Sequence, residues 1–173
     1  CITAYIFGLE EQLGCKKAIY NFIKAYLLDW FPQLPSYQAF CHRLNRLAPA
    51  LEALAQIWME EKLSKMDGET TYIVDSCPIV LTKQARAKNA KIAREFCDKS
   101  YNSSRKEYYY GTKLHCVCVR RPGKLPVPMA LLTSKASMFD LTAAKEIMAG
   151  CKLFHGGNLF ADKAYIDASW KET

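Results

Sequence analysis

Tyr72-Ile73-Val74-Asp75-Ser76-Cys77-Pro78 is a short apolar run that ends on a carboxylate, and Leu159-Phe160-Ala161-Asp162-Lys163-Ala164-Tyr165 repeats that plan near the other end of the chain. A charge at the end of a buried strand is costly unless it is paired or binds a cation, so two such carboxylates invite a shared ligand. Hard oxygen donors of this kind suit Mg²⁺. Between them, residues 83–106 hold Lys83, Arg86, Lys88, Lys91, Arg94, Lys99, Arg105 and Lys106 against only Glu95 and Asp98, and so carry most of the net charge of +7. Such a block neutralises phosphates and releases counterions, which gives strong, salt-sensitive binding to nucleic acid. The plainer alternative is a solvated loop or helix face. Taken together, the acids and the basic block point to metal-dependent chemistry on nucleic acid.

Outward from Asp75, the hydrophobic period changes at Asp67-Gly68, a turn signal followed by β-branched and aromatic residues. A domain boundary is expected there, with a helical region over 1–66 and a second domain over 67–173. Strands are expected at Tyr72 to Val74, Tyr108 to Val119, Val127 to Thr133 and Leu159 to Ala161. Arg121-Pro122-Gly123-Lys124 fits the turn of a hairpin between the middle two. A helix is expected from Leu141 to Ala149, with Asp140 as N-cap and Gly150 as C-cap.

In the first region, Ile19, Phe22, Ile23, Tyr26 and Leu27 fall at helical spacing and define an inward stripe. Pro32 and Pro35 interrupt it, because each disfavours helical geometry in its predecessor, and Ser36 then caps a new helix. That helix carries Tyr37, Phe40, Leu44 and Leu47 inward. Its other face shows His42, Arg43 and Arg46, which either lie along a DNA backbone or form the polar side of an ordinary amphipathic helix. Pro49 suits the first turn of a further helix, with Leu51, Leu54, Ala55, Trp58 and Leu63 as its stripe as far as Met66.

Composition restricts the class. Half of the residues are hydrophobic and 24% are charged, and no apolar run approaches the roughly 20 residues that a membrane span needs. The eight cysteines show neither a disulfide framework nor a Cys-x-x-Cys pair, which reads as reduced and cytosolic. Cys41-His42 and His115-Cys116-x-Cys118 lack the ligand separation of a tetrahedral zinc site. No secretory leader is visible, and both ends look cut.

Asp75-Ser76-x-Pro78, Tyr110-Gly111-x-Lys113-x-His115 and Ala161-Asp162-Lys163-Ala164-Tyr165, in that order, resemble the motifs of bacterial insertion-sequence transposases of the DDE class. Leu34-Pro35-Ser36-Tyr37 and Arg43-Leu44-Asn45-Arg46-Leu47 resemble the helical region preceding the catalytic domain in one subgroup. The resemblance implies an α/β fold: a partial RNase H-like mixed sheet with flanking helices, preceded by an N-terminal all-α region. In that fold the first and last of the expected strands are neighbours, which would bring Asp75 and Asp162 together.

The resemblance further implies that Asp75 and Asp162 are the first and second catalytic acids, sharing two Mg²⁺ or Mn²⁺ ions with a glutamate well downstream. That third acid is expected beyond Thr173, with Glu172 too near to replace it, so the sequence reads as a transposase fragment with an incomplete catalytic set. The implied substrate is double-stranded DNA, both element ends and target, bound by a homodimer in a cytoplasmic, nucleoid-associated complex without membrane. A related RNase H-like nuclease and a catalytically inactive DNA-binding fragment remain as alternatives.

Lys113 and His115 share a strand face and either bind phosphate or serve as a paired lysine and a core histidine. Lys163 either contacts the DNA backbone or pairs with an acid. Ser76 and Cys77 lack a His-Asp arrangement, so covalent catalysis is set aside. Of Tyr108, Tyr109 and Tyr110, one face could stack on an unpaired base, although core packing is the commoner use.

Overall fold

The structure, a computed structural model, describes residues 1–66, 71–150 and 157–165. The Asp67-Gly68 turn and Glu172 therefore lie outside the described residues. The chain divides into two compact units, Cys1–Trp58 and Met59–Thr173.

The first unit is helical. Helices α1 (Ile2–Glu10), α2 (Lys16–Tyr26) and α3 (Tyr37–Arg46) surround a core of Ala4, Ile19, Ile23, Phe40 and Leu44. Burial of each larger side chain contributes roughly 1.5–3 kcal/mol. Two intended core positions are not filled as expected: Tyr26 is 74% exposed and Phe22 only half-buried, so the stripe of α2 narrows to Ile19, Ile23 and Leu27. Ser36 does cap α3, its Oγ accepting from the Ala39 N–H at 3.3 Å. His42, Arg43 and Arg46 are exposed, as the amphipathic pattern requires. Helix α4 (Ala48–Ser64) forms behind Pro49 but has no buried residue, and Trp58 is half-exposed. Its expected inward stripe is thus not buried.

The second unit is built on a five-stranded mixed sheet. Strands β1 (Thr71–Lys83), β2 (Asp98–Asn102), β3 (Glu107–Arg121), β4 (Lys124–Lys135) and β5 (Asn158–Phe160) are joined by a short α5 (Gln84–Ala87) after β1 and by α6 (Asp140–Gly150) before β5. β1 and β3 are antiparallel over most of their length, and β2 and β4 share the opposite edge of β3. β5 lies parallel to β1 on its other side. This order, β4-β3-β1-β5, is that of a partial RNase H-like domain.

Local chemistry explains the main joints. Pro122 and Gly123 form the two-residue turn between β3 and β4, where Gly123 takes φ +68°, a value costly for any side chain. At Gly111 a Cβ would stand 2.0 Å from the Ile79 carbonyl oxygen. That contact sits beside the bulge in β1 between Val80 and Thr82, and only glycine admits it. Packing against α6 fills one sheet face with Val74, Val117, Ala144, Ile147 and Tyr165.

Candidate active site

The two aspartates are placed by register. Ile73 pairs with Phe160 across the parallel β1–β5 ladder, and each aspartate stands two residues beyond its member of that pair. β5 stops there, while β1 continues beside β3 alone, so the edge of β1 is open from Val74 onward among the described strands. A cleft of about 830 Å³ forms over this open edge, and Asp75 and Asp162 both line it.

Register also decides which face each group occupies. Val74 partners Val117 and packs toward α6, so by strand alternation Asp75 and its partner Cys116 face the other side. Asp75 is exposed, with Oδ1 accepting from the Ser76 N–H at 2.7 Å. Asp162 is exposed too, and its Oδ1 accepts from the Ala164 N–H at 2.8 Å. The Asp162 carbonyl accepts from the Tyr165 N–H at 3.2 Å, closing a single 3-10 turn over Lys163–Tyr165. Tyr165 is buried against α6 and so anchors the turn that presents Asp162. Burial first, and then the negative charge of Asp140, pushes the Tyr165 hydroxyl up to about 12, with Asp75 and Asp162 acting in the same direction.

A third carboxylate, Asp140, also lines the cleft. It opens α6, and its Oδ1 is held at 3.0 Å by the Lys113 ammonium, which also donates to the Met138 carbonyl at 3.1 Å. His115 lies below this pair and is fully buried. Ser134 donates its hydroxyl proton to the Lys135 carbonyl at 3.0 Å, so it accepts from His115 Nε2–H at 2.8 Å. Nδ1 is then the bare nitrogen, 3.8 Å from Asp140 Oδ1. Burial lowers the His115 pKa below its ordinary value against the opposing pull of Asp140, so the ring is neutral at neutral pH. Asp140, His115 and Ser134 have the composition of a nucleophilic triad. A buried serine whose proton is already committed is no nucleophile, however, and the group acts as a structural network.

The expected phosphate-binding residues fall in several places. His115 is in the core and Lys113 is paired, both on the α6 side, which is the non-phosphate alternative for each. Lys163 is exposed beside Asp162. Lys83 pairs with Glu107 at 3.3 Å. Arg86, Lys88, Lys91, Arg94, Lys99, Arg105 and Lys106 are all exposed on the segment between β1 and β3. This segment has its own small core of Ala87, Cys97 and Tyr110, and the Tyr110 hydroxyl donates to the Ile92 carbonyl at 2.7 Å.

Sequence reasoning missed two cleft residues, Arg120 and Tyr101, and the role of the core residue Tyr165 as anchor of the Asp162 turn. The described cysteines are all free. Cys116 and Cys118 lie 3.3 Å apart, sulfur to sulfur, and desolvation pushes the Cys116 thiol up to about 12. No helix among the described residues is long and apolar enough to cross a membrane.

Comparison with known proteins agrees with the α/β fold described above. No curated protein and no solved structure matches the chain significantly. The model of the transposase DDE domain family matches residues 67–173, more than half of the sequence and all of the strands described above. A chain with this sheet, matched over this length, belongs to the transposase DDE domain family.

Proposed function

We propose that Asp75 and Asp162 are the first two metal-binding acids of a transposase that cleaves DNA at insertion-element ends and transfers the cut strands to a target. The observation that carries this is the equal offset of both residues from the Ile73–Phe160 pair, at the mouth of one cleft. Their donor chemistry fits the group. Both are exposed carboxylates whose Oδ1 atoms accept from nearby backbone N–H groups, and a carboxylate has acceptor capacity beyond one such bond. Hard oxygen donors with room for retained water are what Mg²⁺ or Mn²⁺ requires. When bound, a pair of such ions supplies activation of the attacking hydroxyl and stabilisation of the leaving oxygen.

The chain's own residues do the rest. The backbone N–H groups of Ser76 and Ala164 fix the rotamers of the two acids. The buried ring of Tyr165 keeps the second acid's turn against the sheet. Arg120 and Lys163 bring positive charge to the cleft and to its border. The lysines and arginines of residues 86–106 hold the DNA backbone, and a homodimer on two element ends is the expected assembly. His115 and Lys113 support the site from within the fold.

Titration of Mn²⁺ into the chain in the presence of DNA, followed by EPR, tests the metal site. Asp75→Ala and Asp162→Ala should each weaken Mn²⁺ binding by roughly tenfold or more, as loss of even outer partners of a metal does. Curves that match the parent's would leave a DNA-binding protein without this chemistry. A nuclease is separated from a transposase by supplying pre-cleaved ends and a target plasmid. Missing joined products would identify hydrolysis alone.

A further inference from the structure

We infer that Tyr101 and Tyr108 form a platform on which one unpaired nucleobase stacks while its flanking phosphates are held by Lys88, Lys99 and Lys106. This rests on the reading of the chain as a DNA-binding transposase and names a subsite within it.

The three consecutive tyrosines of β3 have different surroundings. Tyr109 and Tyr110 are buried at 1% and 4% exposure, whereas Tyr108 is 67% exposed. Its register partner on β2 is Tyr101, itself 50% exposed, and the two rings meet at 5.0 Å between centroids. A cross-strand aromatic pair stabilises a hairpin, but that role does not need so much ring surface in water.

Charge is arranged around the exposed ring. Lys88, Lys99 and Lys106 line a cavity of about 610 Å³ together with Tyr108 and with Glu107, whose charge Lys83 offsets at 3.3 Å. Lys99 and Tyr101 alternate along β2, so they rise on the same face, and Asn102 Oδ1 fixes the hairpin turn by accepting from the Arg105 N–H at 3.2 Å. An apolar ring face rimmed by ammonium groups is the chemistry that takes a base and its phosphates.

The platform also continues into the acidic cleft. Tyr101 lines that cleft along with Asp75 and Asp162, while Tyr108 lines the lysine-rimmed cavity. By strand parity, Tyr101, Tyr108 and Asp75 lie on one face of the sheet. A strand whose phosphate sits at the acids therefore passes the tyrosines on its way to the lysines. One base lifted from the duplex would be received there.

Binding of two short duplexes to the 173-residue chain tests the platform: one fully paired, the other with a single unpaired 2-aminopurine. Tighter binding of the second, by roughly fivefold or more, with quenched 2-aminopurine emission is expected. Tyr108→Leu and Tyr101→Leu should each remove most of that preference without changing the salt slope, while Tyr108→Phe keeps it. Lys99→Ala or Lys106→Ala should instead lower the slope by about 1 for both duplexes. Equal affinity for the two duplexes would overturn the platform while leaving DNA binding intact. So would a Tyr108→Leu protein that melts earlier yet keeps the preference, since that outcome assigns the pair to hairpin stability alone. Failure to bind either duplex would overturn the DNA reading itself.

Discussion

Asp75 and Asp162 stand at the same offset, two residues, beyond the paired positions Ile73 and Phe160 of adjacent parallel strands. Parallel neighbours advance in step, so both residues follow the last pair of the shared ladder at the same remove along the chain.

If they act as one unit, their substitutions will not add. Asp75→Asn and Asp162→Asn should each abolish most Mn²⁺ affinity, and the double variant should be no worse than either alone. Additive losses in calorimetric titration would mean two separate weak sites.

Asp140 shares the cleft, but Lys113 holds it. Both side chains are at most 20% exposed, and loss of one partner leaves the other charge poorly solvated. Asp140→Asn should therefore cost about 1–3 kcal/mol in denaturant unfolding and leave Mn²⁺ binding unchanged. A metal-binding defect without a stability change would make Asp140 a ligand.

His115 should make stability pH-dependent. Its folded pKa is lowered by burial, with Asp140 and Glu146 opposing and Lys113 reinforcing. As pH falls below about 6.5 the unfolded chain takes a proton that the folded chain refuses. The stabilising contribution is thus complete above that pH and declines below it, by at most about 1.4 kcal/mol per pH unit. Denaturant midpoints measured from pH 7.5 to 5 should fall more steeply for the parent than for His115→Gln. Parallel slopes would show that the ring carries no such linkage.

Gly111→Ala should destabilise the second unit by about 2–4 kcal/mol, because the new methyl would overlap the Ile79 carbonyl and no flexible side chain is there to yield. Unfolding followed by circular dichroism would reveal it. An unchanged midpoint would mean that the β1 bulge relaxes freely.

Ser36→Ala should lower the stability of the helical unit by about 1 kcal/mol through loss of the cap on Ala39. Ser36→Asp should retain it. Equal stability of the alanine and aspartate variants would remove the cap from the account.

Much of the fold was legible because local chemistry and tertiary structure agree. Ser36 before Tyr37 read as a helix start, and Pro122-Gly123 read as a turn, and both are so. The site's two acids were legible as charges ending apolar runs, and the motif order gave the neighbouring strands. Other features depend on distant partners. β1 read as ending near Val74, since Ser76 and Pro78 are poor strand residues. It continues to Lys83 because β3 offers a partner throughout, and proline is tolerated where the other edge is open. β2 is polar, Asp98-Lys99-Ser100-Tyr101-Asn102, and carries no strand signal of its own. It forms because β3 extends to Glu107, and Asp98 ties it to Ser137, accepting from both its N–H and its hydroxyl. The roles of Tyr165, Arg120 and Tyr101 could not be read from spacing, since each is defined by what it meets in space.

The basic segment is tied to the sheet by the β2–β3 ladder and by its small core around Tyr110. Surface charges there can be exchanged without disturbing the strands that carry the acids. On the proposed reading, the surface that holds DNA is therefore free to vary while the strands that carry the acids stay fixed, so the grip on the substrate could be tuned apart from the cutting chemistry.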